Sequence, residues 1–90
     1  MIRRLRVTGR VQGVWYRGWA VEQAVMLGVD GWVRNRRDGS VELLVSGPDA
    51  AVEALIGRCQ AGPPAAQVER VEMLPANEAV PAGFRQLPTA

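Results

Sequence analysis

The chain has no histidine, and all eleven of its basic residues are arginine, so lysine is missing as well. Without histidine it lacks the usual metal ligand, the base of a Ser-His pair and the commonest general acid-base group near neutral pH. Cys59 is the only cysteine. It therefore has no partner for an intramolecular disulfide, and its place in an apolar helical stripe reads as a buried structural thiol rather than a nucleophile. No apolar run approaches the length that spans a bilayer. The first residues, Met1-Ile2-Arg3-Arg4-Leu5-Arg6, alternate charged and apolar side chains instead of forming a signal-peptide core, which places the expected protein in the cytoplasm, off the membrane. Its chemistry is expected to proceed with no metal and no cofactor.

What remains is an ordinary globular composition, 48% hydrophobic and 22% charged over 90 residues, which predicts one domain spanning 1–90 with a single core. The net charge of +2 conceals an asymmetry, because eight of the arginines precede residue 46 and only four of the acidic residues do. Positive charge in the first half favours an anionic ligand, but an excess of this size does not argue for nucleic acid.

The periodicity is clear. Ile2 to Thr8 alternates, with Leu5 and Val7 on one face and Arg4, Arg6 and Thr8 on the other, which predicts a half-buried strand. Ala20, Ala24 and Leu27 at helical spacing, flanked by Val21 and Val25, predict a helix from Tyr16 to Leu27 that Gly28 ends. Strands are predicted at Val29–Arg34 and Val41–Val45, joined by a hairpin at Asn35-Arg36-Arg37-Asp38-Gly39, where the Asp-Gly pair is a turn signal. Gly47-Pro48-Asp49 opens a second helix whose core face is Val52, Leu55, Ile56 and Cys59, and Gly62-Pro63-Pro64 stops it. A fourth strand is predicted at Val68–Leu74, with Val71 and Met73 on one face, and a short strand-like piece near Phe84 to Leu87. The order strand, helix, strand, strand, helix, strand predicts an α+β ferredoxin-like split βαβ sandwich (βαββαβ), an antiparallel sheet with both helices on one face.

Between the first strand and the first helix lies Gly9-Arg10-Val11-Gln12-Gly13-Val14-Trp15-Tyr16-Arg17. A glycine-punctuated turn entering a helix can aim successive N–H groups at an anion, aided by the positive end of the helix dipole. It lacks the Lys-Ser/Thr ending of a P-loop, so no nucleoside triphosphate site is indicated. Arg17 falls in the first helical turn, where a cation is disfavoured unless an anion joins it, and its guanidinium fork suits a phosphate. Asn35 closes the second strand, near the end of the first in the predicted sheet. Its amide could hold a water beside a phosphate bound by the loop. Arg34, Arg36 and Arg37 read as a solvated hairpin end. Trp19 and Trp32 read as core or pocket wall, and Trp15, in the loop itself, is placed to touch a ligand's organic part.

Taken together, Gly9-x-Val11-Gln12-Gly13-Val14-x-Tyr16-Arg17 and Gly31-Trp32-Val33-Arg34-Asn35-x-x-Asp38-Gly39-x-Val41 resemble the two signature motifs of the acylphosphatase family. Gly47-Pro48 and Gly83-Phe84 resemble it too, so that the likeness covers nearly the whole chain. The resemblance implies hydrolysis of the carboxyl-phosphate bond of acyl phosphates by direct attack of water, without metal or covalent intermediate. It implies that Arg17 binds phosphate, that Asn35 positions the water, and that Gly9, Arg10, Val11, Gln12, Gly13, Val14, Trp15 and Tyr16 form the cradle with Arg17. Tyr16 stands where phenylalanine is common in the family, and Trp15 fills a variable position. The implied partners are a small acyl phosphate and inorganic phosphate, and the implied state is a monomer. Two other readings remain beside it. A non-catalytic anion-binding or regulatory module could use the same cradle, and an RNA-binding domain has only the basic first half and the sheet in its favour, without RNP-type aromatics.

Overall fold

The computed structural model describes residues 1–90. Its elements are β1 (Ile2–Arg10), α1 (Tyr16–Leu27), β2 (Asp30–Asn35), β3 (Val41–Ser46), α2 (Asp49–Ala61), β4 (Gln67–Pro75) and β5 (Phe84–Gln86). They form one five-stranded sheet in the order β4-β1-β3-β2-β5. The βαββαβ succession is the expected one, and both helices pack on the sheet. The sheet is antiparallel except at its far edge, where β5 runs parallel to β2 through Gly31↔Phe84 and Val33↔Gln86, so the whole is mixed.

One face of each inner strand meets the helices. Leu5, Val7, Val33, Val41, Leu43 and Val45 from the sheet join Ala20 and Ala24 of α1 and Val52, Leu55, Ile56 and Cys59 of α2 in one buried cluster. Burial of this kind, roughly 25 cal/mol for each Å² of apolar surface, is the main term holding the sandwich together. Small alanines on α1 let that helix lie close to the sheet, whereas Val25 and Met26 turn outward and are exposed. Val71 and Met73 share the core side with Val7 and Leu5, their register partners. Met73 is nonetheless 58% exposed, since β4 is an edge strand with a neighbour on one side only.

The opposite face is built from ions. Glu42, only 8% exposed, receives Arg4 Nη1 at 3.1 Å, Arg34 Nε at 2.7 Å and Arg36 Nη1 at 3.4 Å. Arg34 also lies over the ring of Trp32, 4.6 Å from its centroid. The hairpin arginines are therefore not simply solvated, because Arg34 and Arg36 are drawn onto a shared carboxylate.

Strand boundaries differ from the sequence expectation most at β1. That strand continues through Gly9 and Arg10, which pair with Val68 and Gln67 after a bulge in the register at Thr8/Gly9. Gly9 takes φ 118, and a Cβ there would lie 2.7 Å from Glu69 N and closer still to Gln67 O. Only glycine lets the ladder pass this point, so the loop begins at Val11 and not at Gly9. β2 is shifted by one residue, starting at Asp30 and including Asn35, because Asn35 still pairs with Val41.

After β5 the chain follows β2 toward the hairpin. Leu87 N–H donates to Val33 O at 2.9 Å, Ala90 N–H to Asn35 O at 3.0 Å and Arg37 N–H to Ala90 O at 3.0 Å. Gly9→Ala is expected to destabilise the protein by about 1–3 kcal/mol through the clash and the φ requirement together, measured as the shift in urea midpoint.

Candidate active site

The loop Val11–Trp15 joins β1 to α1 without using its own hydrogen-bonding groups. None of the backbone N–H groups from Val11 to Gly18 donates to another group of the protein. In the first turn of α1 this is the rule, since those amides have no carbonyl one turn back; in the loop it leaves Val11 to Trp15 without backbone donors used within the protein. The first helical bond is Trp19 N–H to Trp15 O at 3.1 Å. α1 has no side-chain cap and no acidic residue in its first turn. The positive end of its dipole is therefore left uncompensated by the protein.

Side chains hold the loop instead. Val11 is buried, and Tyr16 is buried with its hydroxyl donating to Cys59 O at 2.7 Å. Burial, with Cys59 alongside, keeps that phenol protonated far above its ordinary range, and burial also pushes the Cys59 thiol up to about 11. Cys59 is thus the inert structural thiol its stripe suggested. Gln12 reaches across to the β2–β3 hairpin, where its Nε2 donates to Arg36 O at 2.7 Å and Ser40 O at 2.9 Å. The hairpin is shaped by Asp38, which accepts from Ser40 N–H at 2.9 Å and Ser40 Oγ at 2.6 Å, and from Arg6 Nη2 at 2.9 Å. The bonds from Ser40, with that from Arg6, hold the Asp38 carboxyl well below the usual carboxylate range.

These anchors bring the end of β1, the start of α1 and the end of β2 around a shallow pocket of about 120 Å³. Its walls are Val11, Gly13, Trp15, Tyr16, Arg17, Gly18, Asn35 and Gln86. Arg17 and Asn35, nominated separately from the sequence, thus meet at one place. Arg17 forms no ion pair with any carboxylate, unlike Arg4, Arg6, Arg34 and Arg36. The side-chain amide of Asn35 makes no hydrogen bond within the protein, while its backbone O is held by Ala90. Of the other nominated residues, Gly9 and Arg10 lie in the β1–β4 ladder, Gln12 faces the hairpin, and Val14 packs against the core.

Gly18 and Gln86 line the pocket without having been nominated. Gly18 carried a signal, a glycine inside a helix where it costs about 1 kcal/mol relative to alanine. Gln86 carried none, because its position follows from the parallel β2–β5 pairing. No three potential metal ligands among Cys, Asp and Glu gather anywhere in the protein. No helix is long and apolar enough to cross a membrane.

A split βαβ sandwich presenting free amides, an unpaired guanidinium and a free carboxamide at one strand end defines a small α+β domain with the hydrogen-bond donors an anion would need. The family model Acylphosphatase matches residues 3–86. Acylphosphatases of Rhizorhabdus wittichii and Rhodospirillum rubrum are each 53% identical, over 97% and 94% of this chain and 88% and 93% of their own. The crystal structure of acylphosphatase from Bacillus subtilis superposes with a TM-score of 0.89 at 32% identity, covering 97% of this chain and 99% of that one. An acylphosphatase structure from Coxiella burnetii gives 0.91 at 31% identity, over 96% and 90%. The chain belongs to the acylphosphatase family.

Asp38, with its lowered pKa, contributes stability that is present above the unfolded carboxylate value near ~3.9 and is lost as pH falls toward the folded value. Asp38→Asn is expected to lower the thermal midpoint at neutral pH and to flatten its fall below about pH 4. Acid-titrated thermal melts of both proteins check this, and parallel curves would refute the linkage.

Proposed function

We propose that Arg17 and the free amides of Val11–Gly18 bind the phosphoryl group, and that the Asn35 carboxamide aims the attacking water. The reaction is that of an acylphosphatase, hydrolysis of the carboxyl-phosphate bond of an acyl phosphate to a carboxylate and inorganic phosphate. The observation that carries the assignment of roles is the unbroken run of unpaired N–H groups from Val11 to Gly18, which includes Arg17, an arginine without a carboxylate partner. Donors aimed in advance at the phosphoryl oxygens need no reorganisation as charge develops there, and hydrogen bonds to an ionised group are about twice as strong as neutral ones.

The residues lining the pocket include no carboxylate and no imidazole. The chemistry requires neither. The leaving carboxylate has a conjugate acid of pKa about 4, so it departs without a general acid at neutral pH. In a loose phosphoryl-transfer transition state the incoming water has bonded little to phosphorus and needs little deprotonation; its proton ends on the phosphate product or in solvent. Positioning then becomes the main contribution of Asn35, whose amide O can accept from the water while its NH₂ donates to a phosphoryl oxygen. The non-catalytic alternative would use the same cradle, but the family membership and the paired presence of Arg17 and Asn35 support turnover.

The same reading extends to a single domain over 1–90 that works as a cytoplasmic monomer, without metal, nucleic acid or membrane. The modest net charge and the ion-paired sheet face support the absence of a nucleic-acid partner.

Arg17→Ala is expected to reduce kcat/KM for benzoyl phosphate by about three to five decades, by analogy with arginine fingers. Asn35→Ala is expected to act mainly on kcat. Both are measured in the presence of EDTA, where the unaltered enzyme should keep its full rate; an inactive parent, or full activity in both variants, refutes the assignment. With no lining side chain that titrates near neutrality, kcat should stay flat between about pH 6 and 8.

A further inference from the structure

Trp15 is the only residue other than glycine with a positive φ, at φ 66 and ψ 26. A bulky residue in the left-handed region is strained, and strain of this kind persists only where the surroundings impose it. Trp15 also occupies the N-cap of α1, a position that Ser, Thr, Asp or Asn would fill with a bond to a helical N–H. It makes no such bond, so the choice of tryptophan leaves those amides free. It is 60% exposed, yet it is one wall of the pocket that holds Arg17 and Asn35.

The indole is seated on Gly18. A Cβ at that position would stand 2.6 Å from Trp15 Cε2 and 2.8 Å from Cδ1, and nearer still to Nε1. The ring therefore rests against the bare backbone of the first helical turn, which a side chain at 18 would deny it. A large, flat, apolar surface is fixed at the mouth of a pocket whose other functional groups are all polar. An acyl phosphate divides in the same way, into a phosphoryl half that the amides and Arg17 can hold and an acyl half that must lie outside the cradle.

Resting on the proposed phosphate site, we propose that Trp15 is the acyl-group platform of this enzyme and that it selects aromatic or extended apolar acyl groups over short ones. Gly18 is the positioning residue that seats it. An aryl group can lie against the exposed indole, whereas an acetyl group ends before reaching it. Aromatic contacts of this kind correspond to about a 3- to 10-fold preference.

The test compares kcat/KM for benzoyl phosphate and acetyl phosphate in the unaltered protein, Trp15→Gly, Trp15→Phe and Gly18→Ala. Glycine accepts φ 66 more readily than tryptophan, so Trp15→Gly should fold at least as well, which a thermal melt verifies. The benzoyl-to-acetyl ratio is expected to fall about 3- to 10-fold in Trp15→Gly, mainly through KM for benzoyl phosphate. It should fall in the same direction in Gly18→Ala, whose indole is intact but displaced, and be largely kept in Trp15→Phe. A ratio unchanged in Trp15→Gly overturns the platform. Hydrolysis of acetyl phosphate by the unaltered protein upholds the phosphate site whatever the ratios do, and failure to hydrolyse either substrate overturns both.

Discussion

The backbone amides from Val11 to Gly18 are all left unpaired by the protein, and much of the architecture around the site follows from that constraint. A loop usually stabilises itself by turning its N–H groups onto its own carbonyls, and this one does not. Unpaired donors that can reach water are tolerated, but they contribute nothing to holding the loop in one shape. The shape has to come from side chains that reach outward. Val11 and Tyr16 are sunk in the core at the loop's two ends, and Gln12 joins its middle to the hairpin through two carbonyls. The bulge at Gly9 sets where the loop can begin, by letting β1 stay paired to β4 up to Arg10.

The Gln12 contact also ties the loop to the hairpin that follows Asn35. Arg36 and Ser40, whose carbonyls receive Gln12, stand on either side of the turn that follows Asn35. Arg36 N–H donates to Ser40 O at 2.8 Å, and Asp38 grips Ser40 twice, so the turn is closed from within. On the outer side, Ala90 bonds to Asn35 and Arg37. Loop and hairpin thus form one assembly in which a movement of the amides would move Asn35 as well. The positioning role proposed for Asn35 would require this, since a displacement of about 1 Å between reacting groups can cost a hundredfold in rate.

Electrostatics reinforce the division of labour. Eight arginines in the first half of the chain could compete for the same anion. Three of them instead converge on Glu42 across the outer face of the sheet, and Arg6 is held by Asp38. Arg17 is left in the pocket with no carboxylate and with the positive end of α1 behind it. Such a cation is poorly placed for the stability of the free helix and well placed for a phosphate. The cost of the site is local and small beside the core it stands on, which is the usual relation between a functional arrangement and its scaffold.

Much of this is legible in the residues alone, and the limits have physical causes. The helices and inner strands are readable because burial imposes a period of 3.6 or 2 on Ala20, Ala24, Leu5, Val7 and Leu43, whatever the exact topology. Arg17 stands out because a cation is disfavoured in the first turn of a helix, whereas Asn35, an ordinary residue at the start of a turn, is nominated by its place at a strand end beside the loop. What escapes is whatever depends on chain segments distant in sequence. The register that carries β1 past Thr8 is decided by β4, and Gln86 enters the pocket only because β5 pairs with β2. Gln12 shows the difference most sharply. Its place in the motif marks it as cradle, yet its side chain serves the hairpin, because a carboxamide between two carbonyls gains two bonds there without consuming a single backbone amide of the loop. Gln12 can thus shape the proposed phosphate cradle with its side chain while its backbone N–H stays free among the amides proposed to meet the phosphate.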